Sequence, residues 1–250
     1  MTEKEKLMYR IIGKISESDA PIVFKGALIT RLVLMENGYS ALERQTKDID
    51  ANWIGEPPSM DELKDIVSRS LTVFNGELYA EVIREYGEKK SAGIAIVEAA
   101  SGDRIITMDI SIKPVAGSKI YYYGETGIRG VLVNEILSDK ISVISSKMVF
   151  RRAKDVIDVY ALAHCVKVNT DEIFGIYKNN PARAVGAFDE FYNRRQDVEH
   201  AYESLAGIEN KPVFADVYSY LSEFVRPFAE HDETPKQWNN YKTLWETDMS

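Results

Sequence analysis

The chain has little cysteine and histidine and no long apolar segment. Its one cysteine, Cys165, excludes an internal disulfide and follows an apolar helix face, as is typical of a small core residue. The three histidines are scattered and lack the spacing of a zinc site. No apolar run approaches the roughly 20 residues that cross a bilayer, and the charged N-terminus lacks the apolar region of a signal peptide. We therefore expect a mature cytoplasmic protein with no membrane partner.

Basic residues are fewer than acidic ones. Lysine and arginine total 31 against 39 aspartates and glutamates, which gives a net charge of -8. This balance argues against broad, non-specific binding of long nucleic acid, which needs a basic face. It leaves open a nucleotide or an RNA end held in a locally basic cleft. The 250 residues, 45% of them hydrophobic, suffice for one large or two small globular domains.

Periodicity predicts a mixed first half and a helical second half. Helical spacing predicts helices over 4–16 and 26–37, the second ended by Gly38, and the pair Ser59 and Glu62 marks the start of a third. Alternating residues predict an antiparallel meander of three strands, over 78–86, 92–99 and 104–112. Beyond Gly130 the pattern predicts helices near 134–149, 152–167, 170–178, 186–204 and 213–229.

The stretch YGETGIRGV contains three glycines and marks a boundary near 125–133. We therefore expect an α+β domain over 1–130, followed by a helical domain over 131–250. A groove between two such halves is a natural place for a ligand.

Two aspartates two residues apart are the first chemical candidate. Asp48 and Asp50 in KDIDAN would share one face of a strand, about 6.5 Å apart, while Ile49 points towards a core. Carboxylates at that distance repel each other, so their joint ionisation is costly without a cation. A divalent ion such as Mg²⁺ suits them, because it takes oxygen ligands and keeps positions open for phosphate oxygens.

A third aspartate lies in a strand of strict alternation. In RIITMDISI, residues 104–112, Asp109 is at mid-strand on the polar face. Aspartate is uncommon in strands, so either an active-site face or plain solvent exposure explains it. A lone Asp-x-Asp pair is most often a solvated turn or cap. The residues before Asp48, ERQTK, lack the apolar strand of a haloacid-dehalogenase-type phosphatase, and no Walker A sequence is present.

Four stretches follow one another in the first two thirds of the chain: FKGALITRL (24–32), ERQTKDID (43–50), TMDISI (107–112) and EILSDKISVISSKMVFRRAKDVIDVYAL (135–162). They contain a glycine at a helix start, an R-x-x-x-D-I-D segment, a strand aspartate, and a lysine helix followed by K-D-x-x-D. In this order they resemble the AbiEii/AbiGii nucleotidyltransferase toxin family. They lie between residues 24 and 162, which is about half of the chain.

The resemblance implies an α+β fold with the polymerase-β-like nucleotidyltransferase core, a mixed or antiparallel sheet and a helical C-terminal domain. It implies transfer of a nucleoside monophosphate from an NTP such as ATP or GTP to an acceptor, with RNA, in particular the tRNA 3′ end, as the favoured acceptor. A cognate antitoxin is a further expected partner, in a toxin–antitoxin or abortive-infection system. The alternatives are a same-fold enzyme that modifies a protein or small molecule, and a non-catalytic member that binds a nucleotide or partner.

The resemblance also implies roles for single residues. Mg²⁺ or Mn²⁺ would be held by Asp48, Asp50 and Asp109, and the catalytic set would add Lys140 and Asp155. Nucleotide binding is expected of Lys25, Gly26, Thr30, Arg44, Lys147, Arg151 and Asp158. An ordinary exposed lysine is an equally open interpretation of Lys25.

The last of the four stretches allows two geometries. At about 100° per residue, one stripe of a continuous helix carries Lys140, Lys147, Arg151 and Asp158. Such a stripe could hold a triphosphate, although a salt-bridged helix surface explains it too. If the helix breaks near Val149 the stripe is lost, but the two helix ends could still converge. Lys140 and Lys147 compete for the role of the functional lysine.

Overall fold

The computed structural model describes residues 1–39, 42, 45–87, 90–180, 184–208 and 210–247. The chain divides into two compact units. The first unit consists of Met1–Leu32 and Gln45–Leu132, and the second of Val33–Arg44 and Val133–Ser250.

A seven-stranded mixed sheet forms the first unit. Its strands lie in the order β3-β4-β5-β2-β1-β7-β6, with the β2–β5 and β1–β7 pairs parallel and the other neighbours antiparallel. The strands are β1 (Ile22–Lys25), β2 (Asp48–Trp53), β3 (Leu78–Arg84), β4 (Ser91–Glu98), β5 (Arg104–Ile112), β6 (Ser118–Tyr123) and β7 (Thr126–Val131).

Three helices accompany this sheet: α1 (Glu3–Ser16), α2 (Gly26–Glu36) and α3 (Met60–Leu71). The α1 helix packs on β7 and α3 packs on β3. Both α1 and α3 begin at a side-chain hydroxyl that caps a backbone N–H. The Thr2 hydroxyl accepts a hydrogen bond from the Glu5 N–H in a reciprocal capping box, and the Ser59 hydroxyl accepts one from the Glu62 N–H. The boundary between the two units passes through α2, after Leu32.

The second unit is mainly helical. Trp238 and Trp245 face each other across a short hairpin and pack against Phe224. The hairpin consists of β8 (Lys236–Asn239) and β9 (Leu244–Thr247). The helices are α4 (Val133–Ile144), α5 (Ala153–Cys165), α6 (Thr170–Asn179), α7 (Asp189–Asn193), α8 (Arg195–Glu203), α9 (Phe214–Phe224) and α10 (Arg226–Ala229). Within the described part of the chain, none of the helices has the length and apolarity that a bilayer crossing requires.

The predicted meander of β3, β4 and β5 is confirmed, as is the end of α2 before Gly38, which has a left-handed φ of 68°. The division between the units falls after Leu132, within the stretch 125–133 that was predicted as a boundary, and Val33–Arg44 also belong to the second unit. That stretch contains β7, paired with β6, and its Gly127 and Gly130 pack closely against β6 side chains. One prediction is wrong. The chain is not helical to its end: β8 and β9 form a hairpin, and the helices predicted near 186–204 and 213–229 are each broken in two.

Candidate functional site

The three predicted aspartates lie on one face of the central sheet. Asp50 of β2 is the register partner of Asp109 on the parallel strand β5, and Asp48 precedes Asp50 by two residues. Register partners on adjacent strands, and residues i and i+2 on one strand, point to the same face. Neighbouring strands are about 4.8 Å apart, so the Asp50 and Asp109 carboxyl groups start from adjacent backbone positions. The sequence alone could not establish this pairing.

Apolar residues on the opposite face fix this orientation. Ile49 and Ala51 alternate with the aspartates of β2 and are fully buried, and Met108 and Ile110 flank Asp109 and are also fully buried. A slip of one residue in either strand would bury the aspartates and expose these apolar side chains, which makes the register strongly specified. Burial of the apolar face therefore holds the carboxylates together.

Gly26 brings backbone into contact with Asp50. Gly26 begins α2 with a φ of 69°, and a Cβ placed there would lie 2.4 Å from Asp50 Oδ2. Only glycine satisfies both conditions, because a side chain is strained at this φ and would displace the carboxylate. The buried Thr30 hydroxyl donates to the Gly26 carbonyl at 2.9 Å and so supports the start of the helix. A helix N-terminus also favours anions, including phosphate.

Lys25 and Asn52 extend the same face. Lys25 is the register partner of Asp50, and its Nζ donates to Asn52 Oδ1 at 2.5 Å. Asn52 is fully buried, and its Nδ2 has no hydrogen-bond partner among the described residues. Sequence reasoning missed Asn52, although the alternation of Asp48, Asp50 and Asn52 along β2 was a usable signal. Lys25, for which an ordinary exposed lysine was the open alternative, is half-buried on this face.

Arg84 contacts the third aspartate. Its Nη2 donates to Asp109 Oδ1 at 2.5 Å, with side-chain exposures of 51% and 40%. Sequence reasoning missed Arg84, because its position depends on an irregularity in β3 that no sequence pattern marked. Arg84 is the register partner of Gly93 on β4, and Gly93 is the partner of Asp109. Register partners on the five adjacent strands β3, β4, β5, β2 and β1 thus form a transverse row, which consists of Arg84, Gly93, Asp109, Asp50 and Lys25.

The donor chemistry of this face suits a hard divalent cation, which takes carboxylate oxygens. In the part of the chain that the structure describes, no group of three or more His, Cys, Asp or Glu side chains is arranged to hold a metal ion. The Asp109 carboxylate is instead held by Arg84, whose guanidinium supplies the positive charge at this end of the row. The residues therefore fit a cation in donor type and share one face of the sheet, and Asp109 would have to exchange Arg84 for the cation to complete the site.

Glu5 holds the segment that leads into β2. This fully buried carboxylate accepts a hydrogen bond from the Thr46 backbone N–H at 3.0 Å and pairs with Arg31 of α2 at 3.1 Å. Burial on its own raises the pKa of Glu5, but the hydrogen bonds from Thr2 and Thr46 and the charge of Arg31 together keep the pKa below its ordinary value. Glu5 thereby ties the approach to Asp48 to α1 and α2.

A separate buried ion cluster lies in the second unit. Lys140 of α4 donates to Asp155 Oδ1 at 3.0 Å and to Asp158 Oδ2 at 2.6 Å on α5, and all three side chains are less than a tenth exposed. Arg152 Nε lies 2.8 Å from the other Asp155 oxygen. Lys140 thus compensates two carboxylates in a buried setting, where an uncompensated charge is costly, and the partly exposed Arg152 adds a second positive charge.

Of the two predicted geometries, the continuous helix with a basic stripe is wrong. The α4 helix ends at Ile144, and a 3₁₀ turn over Val149–Arg151 separates it from α5, so the predicted stripe does not form. The alternative geometry applies: the two helices converge and bring Lys140 to Asp155 and Asp158. Lys147 and Arg151 are exposed. Arg44, the remaining predicted nucleotide ligand, lies outside the described residues.

Cys165 and His164 do not extend either cluster. Cys165 is only partly buried, so it does not lie in the core as predicted, but burial still raises the pKa of its thiol to about 12. His164 stacks on Tyr220 with a ring-centroid distance of 3.9 Å, and burial lowers the pKa of its imidazole.

Comparison with known proteins identifies the family and the fold. The family model described as the nucleotidyl transferase AbiEii toxin of type IV toxin–antitoxin systems matches residues 6–244. MenT4, a nucleotidyltransferase toxin from Mycobacterium tuberculosis H37Rv, has a solved structure that matches 90% of this chain and 81% of that chain, with a TM-score of 0.55 and 17% identity. That likeness confirms the predicted fold class.

An antigenic nucleotidyltransferase-like protein from Paracoccidioides brasiliensis aligns over 85% of this chain and 97% of that chain, with a TM-score of 0.42 and 14% identity. No curated protein sequence matches the chain. Because the family match extends over nearly the whole chain, from residue 6 to residue 244, the chain belongs to the nucleotidyl transferase AbiEii toxin family of type IV toxin–antitoxin systems and is a nucleotidyltransferase.

Proposed function

We propose that the chain transfers a nucleoside monophosphate from an NTP to an RNA acceptor, with the 3′ end of tRNA as the preferred acceptor, in a reaction that requires Mg²⁺ or Mn²⁺. The observation that carries the proposal is the register pair of Asp50 and Asp109, with Asp48 on the same face. Adjacent carboxylates are costly to maintain unless a cation or a chemical task stabilises them.

In this proposal each residue of the row has a task. Asp48 and Asp50 would bind the cation that accompanies the triphosphate, and Asp109 would complete the cation site and help to orient the acceptor hydroxyl. The cation, when bound, neutralises charge on the entering and leaving oxygens of an in-line displacement. The backbone at Gly26 and the N-terminus of α2 bind a phosphate group, and Lys25 adds positive charge next to Asp50. Rate enhancement then comes mainly from positioning and charge neutralisation.

For the second unit we propose that Lys140 and Asp155 are required for transfer. The ion cluster favours Lys140 over Lys147 as the functional lysine, because Lys140 is buried between two carboxylates whereas Lys147 is exposed on the surface. A lysine held in this way has a fixed position beside both carboxylates.

An RNA end is the acceptor that the charge balance favours. With a net charge of -8, the chain is poorly suited to follow a long phosphate backbone, whereas one terminal nucleotide needs only local positive charge. Membership of a toxin–antitoxin family supports a protein antitoxin as the partner and a cytoplasmic location.

The test combines purified protein, Mg²⁺ and each of four labelled NTPs with total tRNA, with protein or with no acceptor. We expect label in the tRNA fraction, and its loss in Asp48→Asn and Asp50→Asn. Asp103→Asn, a change at an exposed aspartate in the turn before β5, is the matched control and should keep full activity. Label in protein alone would refute the RNA acceptor. Full activity of either site variant would refute the role of the carboxylates.

A further inference from the structure

Arg84 reaches the carboxylate site through two local features of the sheet. The first is an irregularity in β3, where the register with β4 shifts between Val82 and Arg84 and leaves Ile83 unpaired. A bulge of this kind re-aims the side chains that follow it. The second is Gly93, which stands between Arg84 and Asp109 in the transverse row. The β3 backbone therefore delivers Arg84 to the position facing Asp109.

Gly93 is needed for this approach. A Cβ at Gly93 would lie 3.1 Å from Ile83 Cγ1 and 3.3 Å from Arg84 Cβ, closer than ordinary contact. With glycine there, the arginine crosses the intervening strand and donates to Asp109 Oδ1 at 2.5 Å. A bulge in β3 and a glycine in β4 thus both serve a single ion pair, which ends in the carboxylate site.

The charges along the transverse row relate the Arg84–Asp109 pair to the proposed cation site. Cations stand at both ends, Arg84 on β3 and Lys25 on β1, and the two carboxylates stand between them. Lys25 donates to Asn52, whereas Arg84 donates to Asp109 itself. Arg84 therefore occupies one oxygen of a carboxylate that the proposed function assigns to the divalent cation.

We propose that Arg84 is the resident counter-ion of the site: it pairs with Asp109 in the free protein, yields that carboxylate to the divalent cation, and then binds a phosphate oxygen of the nucleotide. The inference rests on the proposed function. A guanidinium suits both states, because its planar fork pairs with carboxylates and with phosphates. Arg84 is thus a positioning and substrate-binding residue.

The exchange is feasible because the pair is half-exposed. Ion pairs of this kind contribute little net free energy, since water and salt screen them. The cation therefore needs only a modest advantage to displace Arg84. Loss of the competing guanidinium should strengthen cation binding by about two- to fivefold, and loss of its phosphate contact should weaken nucleotide binding by about tenfold.

The experiment measures Mn²⁺ affinity by titration calorimetry without nucleotide, and then nucleotide affinity at saturating Mn²⁺. The variant is Arg84→Gln. The matched control is Arg104→Gln, which breaks the Arg104–Glu81 pair that joins the same two strands at 3.0 Å with similar exposure, away from the aspartates. We expect R84Q to bind Mn²⁺ more tightly and nucleotide more weakly than the wild type, and R104Q to match the wild type in both.

The outcomes separate the two claims. If the wild type binds Mn²⁺, Asp109→Asn weakens that binding and R84Q equals R104Q in both titrations, the inference about Arg84 is wrong while the proposed function stands. If the wild type binds no Mn²⁺, or D109N binds it as well as the wild type does, the carboxylate site itself is wrong.

Discussion

Gly26→Ala tests how the start of α2 supports the carboxylate site. A Cβ at residue 26 would lie 2.4 Å from Asp50 Oδ2, and ordinary contact begins near 3.4 Å, so the carboxylate must move by about 1 Å. A misplacement of about 1 Å at a reacting centre can lower the rate by roughly 100-fold. The substitution also places alanine at a φ of 69°, which costs about 1–2 kcal/mol in folding free energy.

Gly38→Ala is the matched control for this experiment. Gly38 has nearly the same φ, 68°, but a Cβ there would meet nothing within 4 Å. Both variants should therefore lose similar stability, roughly 2–8 °C in Tm. Only G26A carries the additional clash with Asp50, so the difference between the two variants isolates the effect of the site.

The assay compares the two variants in nucleotidyl transfer from labelled NTP at saturating cation, with Tm measured in parallel. We expect G26A to lose about 100-fold in rate, and G38A to stay close to the wild type. The reasoning is refuted if G26A keeps wild-type activity, or if both variants lose activity equally, since backbone strain alone would then explain the loss.

Two further predictions concern the buried ion clusters. Glu5→Gln should lower the free energy of unfolding by about 2 kcal/mol at pH 7; because the folded pKa of Glu5 is depressed, the wild-type advantage should be full above about pH 4.5 and shrink as the pH falls further. A wild-type advantage in denaturant titrations that is unchanged down to pH 3 would contradict this. Lys140→Met should lower the free energy of unfolding by about 3–5 kcal/mol, because it removes the buried cation that lies between the Asp155 and Asp158 carboxylates, whereas Lys147→Met should cost little; equal stability of these two variants would contradict the burial argument.

Local pattern in the sequence predicted the pieces of the site. Alternation in β2 and β5 placed Asp50 and Asp109 on polar faces, because the period of a strand is visible in a few residues. Gly38 marked the end of α2 for the same local reason. The meander of β3, β4 and β5 followed from short turns. Each of these features depends on residues that are close in sequence.

Non-local pairing explains what the sequence did not predict. The parallel contact of β2 with β5 joins Asp50 to Asp109 across 59 residues of chain, and no local pattern specifies it. The approach of Arg84 depends on a bulge. The β6–β7 hairpin was missed because β6 is largely exposed and its glycine-rich partner resembles a linker. The helix predicted near 134–149 ends earlier, at Ile144, which the sequence did not show because residues 134–149 keep a helical pattern.

The central claim is that Asp48, Asp50 and Asp109 share a divalent cation beside the triphosphate. Crystals soaked with Mn²⁺ and a non-hydrolysable NTP analogue would test it through the anomalous signal of manganese. We predict a peak at roughly 2.0–2.3 Å from carboxylate oxygens of Asp50 and of a second aspartate of the site, with the phosphates towards Gly26. A bound analogue with its manganese peak away from these aspartates would contradict the account.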